Sequence, residues 1–141
     1  MASSFVLDAS VAISWCFPGD PVENTPYSRQ ILKRLVSNDA VVPEVWAFEI
    51  ANAIFVSHNR RKRINEQQVH EYLDLLGALP IRVEVRDLWV NVDLELLARR
   101  HDIAADDAAY LDLALRNGLP LATADSPLKR AALGDGIVLV S

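Results

Sequence analysis

Short unbroken apolar runs alternate along this chain with longer stretches whose apolar positions recur at helical spacing. Phe5-Val6-Leu7 is an apolar run that ends at Asp8, and a helix predicted over Ala9 to Phe17 is broken by Pro18-Gly19-Asp20-Pro21. Tyr27 to Val36 carries Ile31, Leu32, Leu35 and Val36, a helical stripe, before the strand run Ala40-Val41-Val42-Pro43. A long helix is expected from about Glu44 to Arg60, and a second from Glu66 to Leu76 behind an Asn65 cap. Ile81 to Val85 alternates with Arg82 and Glu84 as a strand, and Leu88 to Arg100 reads as a helix. Arg99, Arg100 and His101 suit the negative end of that helix.

A helix follows over Ile103 to Leu115, stopped by Asn117-Gly118. A buried strand Leu119 to Ala122, a helix Pro127 to Leu133 and a last strand Ile137 to Val140 complete the pattern. Strands alternating with helices imply an α/β domain with a short-stranded central parallel sheet and helices on both faces, three layers in all. The adjacent helices Glu44 to Arg60 and Glu66 to Leu76 form an αα-hairpin appended to that layout. The whole chain, residues 1–141, reads as one domain.

Composition narrows the options. Half of the residues are hydrophobic (51%) and 23% are charged, enough for a packed core and too apolar for disorder. No apolar run reaches the ~20 residues of a membrane span, and the first residues lack a leader pattern, so a soluble, unprocessed protein is expected. The one cysteine, Cys16, forbids an internal disulfide and fits a reducing cytoplasm. A net charge of −5 argues against a protein that coats nucleic acid, but not against one holding metal in an acidic pocket.

Four acids stand out by position. Asp8 and Asp125 each follow a buried strand, and a parallel sheet carries both to the same edge. Asp107 shares a helical face with Tyr110, Leu111 and Ala114, and Glu49 has Val45, Trp46, Ala53 and Val56 as apolar neighbours on its helix. Each could instead be a cap or a surface charge. Asp106 is read as a cap, and Asp112 with Arg116 as an ordinary surface pair. Carboxylates gathered in one place repel one another, and a divalent cation resolves the conflict. All-oxygen ligation favours Mg²⁺ or Mn²⁺ over Zn²⁺, and such ions can drive phosphodiester hydrolysis without a Ser, His or Cys nucleophile.

Val6-Leu7-Asp8-Ala9-Ser10, Pro43-Glu44-Val45-Trp46 leading to Glu49-Ile50-Ala51-Asn52, Asp107-Ala108-Ala109-Tyr110-Leu111 and Leu121-Ala122-Thr123-Ala124-Asp125 come in a telling order. The ordered set resembles the PIN-domain ribonucleases, most closely the VapC-type toxins of toxin–antitoxin pairs, across nearly the whole chain. The resemblance implies a cytoplasmic, Mg²⁺- or Mn²⁺-dependent endoribonuclease whose metal-holding, catalytic acids are Asp8, Glu49, Asp107 and Asp125. Ser10 and Thr123 match supporting hydroxyls, and Asn52 falls within a matching motif. A homodimer and a VapB-like antitoxin that blocks the site are implied as partners. Asp106 departs from the pattern, which leaves open whether it too contributes to the site.

Arg60-Arg61-Lys62-Arg63, with His58 near it, is the one basic cluster, either a solvated turn or a contact for RNA phosphates. Trp15, Trp46 and Phe55 are core or interface residues, or stacking platforms. The histidines show no zinc spacing. A phosphatase with an aspartyl nucleophile is disfavoured because Asp8-Ala9-Ser10 lacks a second acid, and a PIN fold kept only for binding would not need an intact acid set.

Overall fold

The computed structural model describes residues 3–86 and 90–141. Its centre is a four-stranded sheet of β1 (Ser4–Leu7), β2 (Asp39–Pro43), β3 (Ile81–Glu84) and β4 (Leu121–Ala122), in the order β3-β2-β1-β4. Every pairing is parallel, with Val6 opposite Val41 on one side and Leu121 on the other. Parallel strands need crossovers, and the helices supply them. The carboxyl ends of all four strands therefore open on one edge.

Seven helices flank the sheet among the described residues: α1 (Ala9–Ser14), α2 (Pro26–Arg34), α3 (Val45–Phe55), α4 (Glu66–Ala78), α5 (Val90–His101), α6 (Ala105–Asn117) and α7 (Ser126–Gly134). Helix α1 touches α2 and α3, while α6 touches α5 and α7 and lies across β1, β2 and β4. Tyr110, Leu111, Leu113 and Ala114 of α6 are fully buried with Val6, Leu7, Val41, Val42 and Leu121 of the strands. These near-continuous apolar strands are what a sheet covered on both faces requires. Gly118 ends α6 in the left-handed conformation at φ 61°, which a residue with a Cβ adopts at a cost. The Asn65 side chain caps α4 reciprocally with Gln68.

Several expected boundaries move, each for a backbone reason. The first helix stops at Ser14 rather than Phe17, because the N–H groups of Trp15, Cys16 and Phe17 turn back to carbonyls three residues earlier. The helix expected to run to Arg60 is α-helical only to Phe55 and then widens into a π turn over Val56–Arg60, where the Arg61 N–H reaches the Val56 carbonyl at 2.8 Å. The last strand, expected over Ile137 to Val140, is reduced to one parallel bridge between Leu121 and Leu139. With β4 only two residues long, Leu121 alone exchanges hydrogen bonds with that segment, through Val138 and Val140. The helix expected from Leu88 is seen from Val90, and its first two expected residues lie outside the described ones. Among the described residues no helix is long and apolar enough to cross a membrane.

Leu111 is fully buried in the centre of this arrangement. Leu111→Ala should destabilise the fold by about 2–5 kcal/mol. Urea unfolding followed by circular dichroism measures it, and a loss below about 1 kcal/mol would mean that α6 is not packed as described.

Candidate active site

The sheet delivers Asp8 at the exit of β1, where its N–H completes the ladder to the Ala122 carbonyl at 2.9 Å. Its side chain is only 2% exposed. Oδ2 accepts from the hydroxyls of Ser10 at 2.6 Å and Thr123 at 2.7 Å. Those hydroxyls are themselves fixed, since Ser10 Oγ accepts the Ala124 N–H and Thr123 Oγ1 accepts the Asp125 N–H. Burial raises the Asp8 pKa, the two hydroxyls oppose that rise, and the nearby Asp125 charge adds to it. Ser10 and Thr123 therefore both lie in direct hydrogen-bond contact with Asp8.

Glu49 projects from the middle of α3, half-buried, and its Oε1 accepts the Tyr110 hydroxyl at 2.9 Å. The same Tyr110 oxygen accepts the Ala9 N–H at 3.3 Å, so one buried phenol joins the β1–α1 junction to α3. Burial pushes Glu49 up to about 7, despite the Tyr110 hydrogen bond, with Asp8, Asp106 and Asp107 adding repulsion. Asp107, in the first turn of α6, is pushed up to about 6 by burial and then by Asp106, Asp125 and Asp8. Asp125 caps α7 through Oδ2, which accepts the Leu128 N–H at 3.0 Å. The charges of Asp8 and Asp107 thus bear on Glu49, and that of Asp125 on Asp8 and Asp107. Among the described residues none of them forms an ion pair.

The donor set suits a hard divalent cation in its chemistry: oxygen only, acidic, and with no ion pair to any of the four acids among the described residues. It is an open set rather than a cage, because no three His, Cys, Asp or Glu side chains among the described residues stand together as a ready metal site. Mg²⁺ is usually bound in that open manner, by one or two carboxylates, waters and substrate phosphates.

Other expected residues fare differently. Asp106 is exposed and makes no cap, the helix starting behind Ala104 without a side-chain bond, yet its charge raises both Glu49 and Asp107. Asn52 is exposed and has no hydrogen bond among the described residues. In the basic cluster Arg60 sits over the Phe55 ring at 5.3 Å, and Arg61 and Lys62 are exposed. Arg63 pairs with Asp20 at 3.1 Å and Glu23 at 3.4 Å and lies over Phe17 at 4.1 Å. Trp15 and Trp46 are core, whereas Phe55 is largely open to solvent.

The Asp112–Arg116 pair is also not an ordinary surface pair. Asp112 is buried and meets Arg86 as well as Arg116. Tyr110 and Arg86 were not singled out for the site from sequence. For Tyr110 the signal was there, because it shares a helical face with Asp107. For Arg86 none was, since its partners are remote in the chain.

A parallel α/β sheet with clustered carboxylates at its carboxyl edge defines the class, and comparison defines the family. The chain belongs to the PIN domain family, which matches residues 5–133. PIN domains are generally metal-dependent nucleases that use divalent ions. Two similar solved structures are PAE2754 from Pyrobaculum aerophilum and FitAcB from Neisseria gonorrhoeae. The first is 19% identical with a TM-score of 0.65, over 93% of this chain and 87% of that one. The second is 19% identical with a TM-score of 0.63, over 97% and 96% respectively. No curated protein matches the sequence.

The raised pKa values carry a stability consequence. Between its unfolded value of 4.5 and its folded value of about 7, Glu49 binds more protons folded than unfolded, and Asp107 behaves alike up to about 6. Stability of the metal-free protein should therefore fall as pH rises through this window. A melting temperature higher at pH 5.5 than at pH 8 is expected, and Glu49→Gln should flatten the difference. The Glu49 share is about 1 kcal/mol once solvent screening is allowed for. An unchanged slope in Glu49→Gln would remove Glu49 as its source.

Proposed function

We propose that this PIN domain is an endoribonuclease, acting as the toxin of a toxin–antitoxin pair, with Asp8, Glu49, Asp107 and Asp125 as its catalytic acids. What supports the reading is the placement of these four acids about the carboxyl edge of the sheet, none of them in an ion pair among the described residues. Asp8, Glu49, Asp107 and Asp125 would hold Mg²⁺ or Mn²⁺. When bound, such an ion lowers the pKa of water and stabilises the leaving oxygen of a phosphodiester.

The chain's own residues do the rest. Ser10 and Thr123 both donate to Asp8 Oδ2 and so fix its carboxylate. Tyr110 aims Glu49 by donating to one of its oxygens. One of the four acids would also orient the attacking water, and the Tyr110 hydrogen bond fixes Glu49 for such a part. Asp125 is held by its cap with one oxygen left over. Arg60, Arg61, Lys62 and Arg63 would draw the RNA backbone toward an otherwise acidic protein, Arg63 while also pairing with Asp20 and Glu23.

The partner side of the reading rests on the ordered family motifs and on surface chemistry. Helix α3 carries a single charge, Glu49, and leaves Phe48 and Phe55 exposed, while Trp46, Ile50, Ile54, Leu73 and Leu76 line an apolar groove between α3 and α4. Apolar surface of this kind suits a homodimer contact or an amphipathic segment of a VapB-like antitoxin. One folded unit spanning the chain, working in the cytoplasm, completes the proposal.

Purified protein freed of any co-purified partner, incubated with total RNA and Mg²⁺ or Mn²⁺, should give discrete fragments that EDTA abolishes. Loss of a ligand's supporting partner alone costs roughly 10–100-fold. Asp8→Asn should therefore lower cleavage by more than about 100-fold while circular dichroism stays unchanged. Full cleavage by folded Asp8→Asn would refute the assignment.

A further inference from the structure

Beyond the acids, the carboxyl edge of the sheet holds a second charged group of different construction. Arg86 follows β3, the edge strand, and only 10% of its side chain is exposed. One guanidinium nitrogen, Nη1, lies 2.6 Å from Asp112 Oδ2 as a charge contact, and the other, Nη2, donates to the Ala109 carbonyl at 2.5 Å. Arg116 closes on the same Asp112 oxygen at 2.8 Å and reaches Glu84 at 3.4 Å. Glu84 in turn accepts from Asn117 at 3.1 Å. Two arginines and two acids make this group neutral overall.

Its attachment points decide what it does. Ala109 lies between Asp107 and Tyr110, so the Arg86 fork grips the turn of α6 that presents both. The Arg86 backbone N–H also donates to Glu44 Oε1 at 3.1 Å, and Glu44 is the residue on which α3 starts. Helices α3 and α6 are the two elements whose Glu49 and Tyr110 meet at 2.9 Å. Arg86 thus closes a ring: Glu44 to α3, Glu49 to Tyr110, Ala109 back to Arg86. We infer that Arg86 is a positioning residue that sets α6 against α3, through Asp112, Ala109 and Glu44, so that Glu49 and Asp107 face the same site. This rests on the nuclease reading above.

The alternative is that the group merely stabilises the fold. Buried ion pairs replaced by apolar side chains of similar volume often leave stability unchanged or improved. A stabilising role would then be recovered by an apolar pair, whereas a positioning role would not. Misplacement of reacting groups by about 1 Å costs on the order of 100-fold in rate. Lysine places a single charge where arginine places a fork, so Arg86→Lys should keep the Asp112 contact and lose the second hold.

The test uses the double variant Arg86→Met/Asp112→Leu, with Arg86→Lys beside it and Arg116→Met as the control that leaves the fork intact. Melting temperature, RNA-cleavage kcat and KM, and Mn²⁺ affinity by calorimetry are measured for each. The expected result is a double variant melting within a few degrees of wild type, with kcat at least about tenfold lower, KM unchanged and weaker Mn²⁺ binding. Arg86→Lys should show the same split in smaller measure, and Arg116→Met should keep wild-type kcat. Wild-type kcat and Mn²⁺ affinity in a folded double variant would overturn the inference. If the double variant does not fold, Arg86→Lys decides, and wild-type values there overturn it equally. A wild-type protein that binds Mn²⁺ but cleaves no RNA would refute the nuclease reading, and Mn²⁺ affinity across the variants would still judge the positioning role.

Discussion

Acids gathered at one sheet edge, with none of Asp8, Glu49, Asp107 and Asp125 in an ion pair among the described residues, are the constraint around which this molecule is arranged. Asp8 is nearly inaccessible and could not sit there as an isolated carboxylate at neutral pH without compensation. Two hydroxyls supply part of it, from a serine two residues on and from a threonine at the exit of a different strand. Parallel register is what makes that second hydroxyl available, because β1 and β4 pair side by side and release their chains at the same level. Glu49 and Asp107 are raised as well, first by burial and then by the neighbouring acids, and a divalent ion would relieve that repulsion.

The surrounding charges are kept separate from this group. Arg63, Arg86, Arg100 and Arg116 are each engaged with acids outside it, at Asp20 and Glu23, Asp112, Asp135, and Asp112 with Glu84. Arg100 and His101, placed by sequence at the negative end of their helix, meet Asp135 and so tie the end of α5 to the end of α7.

Aromatic side chains show the same division of labour. Tyr72 and Tyr110 are both buried phenols whose hydroxyls are satisfied, Tyr72 on the Ala12 carbonyl at 2.6 Å and Tyr110 on Glu49. The first fastens α4 to α1, and the second fastens a helix to a carboxylate of the site. A single change of partner, from a carbonyl to a carboxylate, converts a packing residue into one that orients chemistry.

The sequence by itself determined the alternation of strands and helices, the shared edge of Asp8 and Asp125, and the inward faces of Glu49 and Asp107. These follow from local periodicity and from the rule that parallel strands end together, so neighbouring residues carry the information. Tertiary structure alone decided where the backbone stops obeying that periodicity: the π turn after Phe55, the early end of α1, and the final strand reduced to one bridge. It also decided that Asp112 is buried against Arg86, that Arg63 is already paired, and that Tyr110 holds Glu49. Each depends on which remote side chain occupies the facing position, and charge type and spacing along the chain do not encode the partner across the sheet. Contacts 23 residues apart between Arg86 and Ala109, or 61 apart between Glu49 and Tyr110, exist only once the sheet has brought their helices together.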